Sequence, residues 1–233
     1  QVRAIDIQHD RHRMTFTAVI GVNGSARRLK VTLNLPGVHN IQNALAAIAV
    51  ANEIGVPDTA ITKALLEFRG VERRFQQFGE IKSSAQKHFA LIDDYGHHPA
   101  EMEATMKAAR GAFPERRLVV AFQPHRYTRT RDLFEDFARV LSQADALLLT
   151  EVYPAGEESI VAADSKSLAR AIRVQGKVEP IYIEAVDDLP EAILGIVQDG
   201  DVVLVMGAGS VAKVAPQIAQ MKSKLSVVNG SDH

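Results

Sequence analysis

Two stretches of this chain concentrate side chains that can do chemistry. One is Asp93-Asp94-Tyr95-Gly96-His97-His98-Pro99, and the other is Gln123-Pro124-His125-Arg126-Tyr127-Thr128-Arg129-Thr130-Arg131-Asp132. Together they carry three histidines, three aspartates and three arginines. Imidazoles and carboxylates move protons, and guanidinium groups take carboxylate or phosphate through two parallel hydrogen bonds. Arg126, Arg129 and Arg131 fall at the expected start of a helix, where cations oppose the macrodipole. Something anionic must offset them, so the cluster is expected to bind an anionic ligand rather than to be a merely solvated loop. Asp93, Asp94, His97, His98 and His125 would also suit zinc or manganese. Three neighbouring arginines would repel a cation, however, and adjacent His97 and His98 seldom face one point, so no metal site is expected.

Three further features need weighing. Gly207-Ala208-Gly209-Ser210-Val211-Ala212 matches a dinucleotide fingerprint on paper, between a strand and a helix. No later strand follows to carry a ribose-binding acid, so it reads as a tight turn whose amides could face an anion. His39, Asn40 and Asn43 open an Ala-rich helix; Asn40 could be its N-cap, or the two amides, one turn apart, could read a purine edge. Arg73-Arg74-Phe75 is either a solvated pair or a phosphate contact. The P-loop pattern G-x-x-x-x-G-K-[ST] does not occur in the 233 residues.

The elements that must position these residues follow from periodicity. Arg13–Ile20 alternates as a strand, Asn23-Gly24 marks a turn, and 26–35 resumes as a strand. Helices are expected from Asn40 to about Glu53 and from Thr59 to about Phe68. Two strands and two helices make a thin core, so this part reads as the tail of a larger domain. From about Lys82 the rhythm changes. Apolar runs at 89–93, 117–122, 146–150, 180–183 and 202–206 are each followed by an amphipathic helix, at 99–110, 128–142, 165–174, 187–197 and 210–221. Unalternating strands between helices predict an α/β domain with a doubly wound, mostly parallel sheet. Its strands' carboxyl ends carry the charged stretches, where such sheets bind ligands. The predicted division is 1–80, 81–225 and a tail, 226–233.

Composition excludes several classes. With 46% hydrophobic and 24% charged residues the chain is globular, and a net charge of -1 is not built for nucleic acid. There are no cysteines, which removes disulfides and thiol chemistry. No apolar run approaches the roughly 20 residues of a membrane helix, so a cytoplasmic protein with no membrane partner is expected. Because the chain opens on Gln1 within a polar–apolar alternation, it is expected to be a piece of something longer.

Four blocks occur in order: Leu35-Pro36-Gly37-Val38-His39-Asn40-Ile41-Gln42-Asn43-Ala44, Arg73-Arg74-Phe75, Asp93 to Pro99, and Phe122 to Thr130. Together they resemble the Mur ligase family, over essentially the whole chain to about Met221. Tyr95-Gly96 favours the branch that adds the first amino acid; the related murein tripeptide branch tends to have Phe-Ala there. The resemblance implies the end of an ATPase central domain followed by a complete Rossmann-like C-terminal domain. It implies an ATP-dependent ligase of cell-wall precursor synthesis, joining L-alanine to UDP-N-acetylmuramate through an acyl phosphate. It also implies that the P-loop and the ligands for Mg2+ belong to an upstream part, without which the fragment would be inactive. The protein would act as a monomer or homodimer.

Carried over residue by residue, the resemblance makes His39, Asn40 and Asn43 adenine-contacting positions. Arg74 would reach the ATP phosphates, and Asp94 would contact the nucleotide near its ribose. Tyr95, His97, His125, Arg126 and Arg129 would form the pocket for alanine and the lactyl end of the sugar nucleotide, with Arg74, His97, Arg126 and Arg129 in catalytic roles. Two rivals remain at this point: a His/Asp metallohydrolase on the same edge, and a module that binds a nucleotide or other anion without catalysis.

Overall fold

In a computed structural model, residues 1–21, 26–83 and 87–228 are described, and the expected Asn23-Gly24 turn lies outside them. The chain packs as two units: Gln1–Val71 with Ala104–Pro114, and Glu72–Glu103 with the chain from Glu115 onward.

In the first unit, β1 (Val2–Asp10), β2 (Arg13–Ile20) and β3 (Arg27–Leu33) form an antiparallel sheet in that order. Alternate residues Met14, Phe16, Ala18 and Ile20 of β2 point to one face, with Leu29, Val31 and Leu33 of β3. Helices α1 (Val38–Glu53) and α2 (Asp58–Glu67) cover that face with Ile41, Ala44, Ile48 and Ile61. Period two meeting period 3.6 closes this core. Helix α1 starts at Val38 behind Gly37, so Asn40 is not its N-cap.

The second unit holds a six-stranded sheet. Its members are β4 (Gln76–Lys82), β5 (His88–Asp94), β6 (Leu118–Phe122), β7 (Ala146–Thr150), β8 (Pro180–Ile183) and β9 (Asp201–Met206), in spatial order β4-β5-β9-β6-β7-β8. Only β4 is antiparallel to its neighbour. Strands β6 and β9 are buried along their whole length, which is why they lack polar alternation. Leu91, Val119, Leu148, Val203 and Val205 face Leu189 and Ile193 of α7 (Leu189–Ile196) and Val214 and Ile218 of α8 (Val214–Val228). The remaining helices are α3 (Pro99–Ala112), whose residues from Ala104 onward belong to the first unit, α4 (Tyr127–Asp132), α5 (Phe134–Leu141) and α6 (Ser165–Val174).

The expected five parallel strands and their helices stand, with three corrections. Strand β4 is too polar on its exposed side to read as a strand, yet it pairs with β5 in the second unit, which takes up the chain at Glu72. The single helix expected over 128–142 breaks at Leu133, whose φ of -118° and ψ of 25° leave the helical region. Helix α8 runs on to Val228, so the tail expected at 226–233 begins as helix, and 229–233 lie outside the described residues. No helix of the described residues is long and apolar enough to cross a membrane.

Candidate functional site

Register carries the strand ends to one line. Asp94 pairs with Met206, Met206 with Phe122, and Phe122 with Leu149. Backbone pairing continues past the strands. The Gln123 amide donates to Met206 O (3.1 Å), the Gly207 amide to Asp94 O (3.2 Å), the Tyr153 amide to Pro124 O (2.8 Å) and the Arg126 amide to Tyr153 O (2.9 Å). The loops after β5, β6, β7 and β9 are therefore held together by main chain, at the edge where parallel sheets place ligands.

On that frame four rings form a row. Tyr95 meets His97 edge to face at 5.3 Å, His97 lies 5.6 Å from His125, and His125 stacks on Tyr153 at 5.4 Å with 14° between planes. Arginines flank both ends. The guanidinium carbons of Arg73 and Arg74 sit 5.2 and 5.5 Å from the Tyr95 centroid, a cation–π arrangement. Arg129 donates to His125 O (3.1 Å) and lies 3.3 Å from His125 Nδ1. Since guanidinium only donates, Nδ1 of His125 accepts and its proton sits on Nε2. His97 is the opposite tautomer: Nδ1 is 3.0 Å from Tyr95 O, which can only accept, leaving Nε2 with a lone pair when neutral. The structure thus brings together Arg74, Tyr95, His97, His125, Arg126 and Arg129. It does not bring in Arg131, which pairs with Asp132 in solvent, or His98, which is exposed.

The charge balance bears on the expectation that the three arginines need an anion to offset them. Only Arg126 stands at the start of α4; Arg129 and Arg131 lie in its last turn, where cations are favourable. The macrodipole argument therefore applies to one arginine of the three. That one has an internal anion, with Arg126 Nη1 3.4 Å from Glu157 Oε1. Arg74 Nη1 is 3.9 Å from Glu101, and Arg73 Nε is 2.9 Å from the buried Asp93. Arg129 makes no ion pair among the described residues, and so keeps charge to offer a ligand.

Asp94 is held by main chain. It is 4% exposed, and its oxygens accept from the Phe75 amide (2.8 Å) and the Gly96 amide (2.7 Å). It ties the Arg73-Arg74-Phe75 segment to the Tyr95 loop. A Cβ at position 96 would lie 2.7 Å from Asp94 Oδ1 and 3.0 Å from Met206 Cε, so Gly96 is needed for this tie. With Asp93 held by Arg73 and Asp94 by amides, the ligand set of the metallohydrolase reading is dispersed. Among the described residues no three His, Cys, Asp or Glu side chains gather around a possible metal position.

The glycine turn after β9 has a packing reason. Gly207 has φ +138°, and a Cβ there would meet Gln123 O at 2.8 Å; at Gly209 it would meet Gln123 Oε1 at 2.5 Å and Tyr153 Cβ at 2.7 Å. The Val211 amide, expected to face an anion, donates to Gln123 Oε1 (3.0 Å). Gln123 and Tyr153 were not singled out as site residues. Tyr153 carried a signal, an aromatic just past β7, but its partner His125 is close only in three dimensions.

His39, Asn40 and Asn43 lie on α1 of the first unit. Asn40 Nδ2 donates to Pro36 O (2.7 Å), and its Oδ1 is 3.5 Å from Asn43 Nδ2, so the two amides share a face as their spacing required.

Burial, with the positive field of His97, Arg129 and Arg126, holds the His125 imidazole below its ordinary 6.5, and Glu157 opposes this. A histidine whose folded pKa is lowered contributes stability that is full above the unfolded value and is lost as pH falls through the folded one. An NMR titration of His125 should therefore show a midpoint below 6.5 that moves upward in Arg129→Ala. A midpoint at or above 6.5 contradicts this electrostatic picture.

Comparison with known proteins follows the same residues. A family profile described as "Mur ligase, glutamate ligase domain" matches residues 73–209. The UDP-N-acetylmuramate–L-alanine ligase of Nitrosomonas europaea is 71% identical over 230 residues, covering 99% of this chain and 49% of that protein. The ligase of the same name from Nitrosomonas eutropha is 67% identical over 230 residues, with 99% and 49% covered. The crystal structure of the UDP-N-acetylmuramate–alanine ligase of Thermotoga maritima superposes with a TM-score of 0.75 at 29% identity, over 95% of this chain and 46% of that one. The chain spans about half the length of the curated relatives it matches. The matched span opens at Arg73 and closes at Gly209, and so takes in the whole ring row with both flanking loops: the chain belongs to the Mur ligase family.

Proposed function

We propose that this chain is the part of a cytoplasmic ATP-dependent ligase that binds L-alanine and the lactyl end of UDP-N-acetylmuramate. The convergence of Tyr95, His97, His125, Arg126 and Arg129 on one sheet edge carries this reading, and the names of the relatives support it.

The chemistry explains the residue types. A carboxylate is a poor electrophile, so the terminal phosphoryl group of ATP is transferred to it, giving an acyl phosphate and ADP. The free amine of alanine then attacks the acyl carbon, and the tetrahedral adduct expels inorganic phosphate as the amide forms. Arginines at the pocket hold the carboxylate of the amino acid and the developing oxyanion. His97, with its Nε2 lone pair open, takes the proton that the attacking amine gives up. Arg74 serves the phosphate side, and His39, Asn40 and Asn43 the adenine. Among the described residues no three His, Cys, Asp or Glu side chains gather that could hold Mg2+. That ion and the triphosphate cradle are assigned to the half of the relatives that this chain does not span, and the chain's own contribution runs through its arginines and histidines.

The test is phosphate release by the full-length protein. Release should require ATP, UDP-N-acetylmuramate and L-alanine together, and the product should gain the mass of alanine less water. Release that is indifferent to alanine would overturn the reading, and stoichiometric zinc or manganese in the pure protein would revive the hydrolase.

A further inference from the structure

The five residues Tyr153 to Glu157, after β7, touch the site at three levels. The Tyr153 ring stacks on His125, and its main chain pairs with Pro124 and Arg126. The chain then turns back through Ala155 (φ +51°) and Gly156 (φ +86°), closed by the Glu157 amide donating to Pro154 O at 3.0 Å. This return delivers the Glu157 carboxylate to the beginning of α4. There it accepts from the Thr128 amide (3.0 Å) and the Thr128 hydroxyl (2.7 Å), and lies 3.4 Å from Arg126 Nη1. Arg126 itself stands at φ +74° and ψ 131°, a backbone state that non-glycine residues keep only where the surroundings over-determine it.

We infer that Glu157 is a positioning residue for amino-acid recognition: its carboxylate fixes the start of α4 and pre-orders the Arg126 guanidinium. The inference rests on the ligase reading given under Proposed function. Without the carboxylate, a half-exposed arginine must be ordered by the substrate itself, and that ordering is lost from affinity. Hydrogen bonds from Thr128 and Arg126 also hold the Glu157 carboxyl below the usual carboxylate range, so the anion persists across the working pH. Tyr153 supplies the second contact, keeping His125 between two rings while Arg129 fixes its tautomer.

Two variants separate positioning from simple capping. Glu157→Gln keeps an oxygen for Thr128 but loses the charge that faces Arg126. In the full-length enzyme it should raise KM for L-alanine about tenfold while KM for ATP stays within about twofold. Glu157→Ala also removes the acceptor, and in the present chain it should speed hydrogen exchange at the Thr128 amide by about tenfold or more, whatever the protein catalyses. Unchanged exchange overturns the inference on geometry alone. Faster exchange with unmoved Michaelis constants, or with both raised equally, reduces Glu157 to a cap and also overturns it. If exchange behaves as expected but the wild-type enzyme adds no alanine, the ligase reading has failed and the assigned role falls with it.

Discussion

Replacing Arg126 by alanine in the full-length enzyme is expected to raise KM for L-alanine about a hundredfold, with KM for ATP changed by less than about threefold. The size follows from truncating one partner of a charge-assisted pair, which costs about 2–5 kcal/mol when the other charge is left without it, each 1.4 kcal/mol being tenfold. The selectivity follows from position. Arg126 stands at the end of the ring row formed by the β6 and β7 loops, beside His125 and Glu157, whereas Arg74 is on the β5 side against Tyr95 and Glu101. Arg126→Lys should recover only part of the loss, because an ammonium cannot reproduce the planar fork that a carboxylate meets. Steady-state kinetics with each substrate varied in turn decide the matter; equal loss toward alanine and ATP would remove Arg126 from the amino-acid pocket.

Asp94→Ala should destabilise the second unit by about 3–5 kcal/mol, lowering its thermal midpoint by roughly 10 °C. Its two oxygens accept from two backbone amides, and Phe75, one of the donors, is itself buried, so truncation orphans both donors away from water. The segment it ties is unusual in itself, with Arg73 at φ +57° and Phe75 at φ +50°. Once released, that segment should relax and carry Arg74 off the Tyr95 ring, so KM for ATP should also rise in the full-length enzyme. Asp94→Asn, which keeps one acceptor, should lie between. A calorimetric midpoint unchanged in Asp94→Ala would refute the tie, and a lowered midpoint with unaltered KM for ATP would show that the tie serves the fold without serving the nucleotide.

Local sequence determined the elements wherever periodicity and burial agree. The runs at 146–150 and 180–183 and the helix at 165–174 stand at their expected limits. In β7 the reason is burial: a strand buried along nearly its whole length has no polar alternation. The edge strand β4 escaped because one side of it faces water and its pattern is mixed. The helix break at Leu133 escaped because Leu133 fits an apolar stripe whether the helix continues or stops.

The candidate site divides along the same line. The residue types and their places at strand ends were legible, because charged side chains cluster in sequence at the carboxyl ends of parallel strands. So were the four ordered blocks that mark the Mur ligase family. The connections between loops were not legible. Glu157 reaches Thr128 and Arg126 from 29 and 31 residues away, Tyr153 stacks on His125, and Gln123 holds the turn at Val211 from 88 residues away. Asp94 became a tie because two amides from separate segments close on it, and two of the three arginines expected at a helix start came to lie in the helix's last turn. Sequence spacing specifies which face of an element a side chain occupies. Which carboxylate meets which cation depends on distances between chain segments, and only the packed sheet, with its register, sets those.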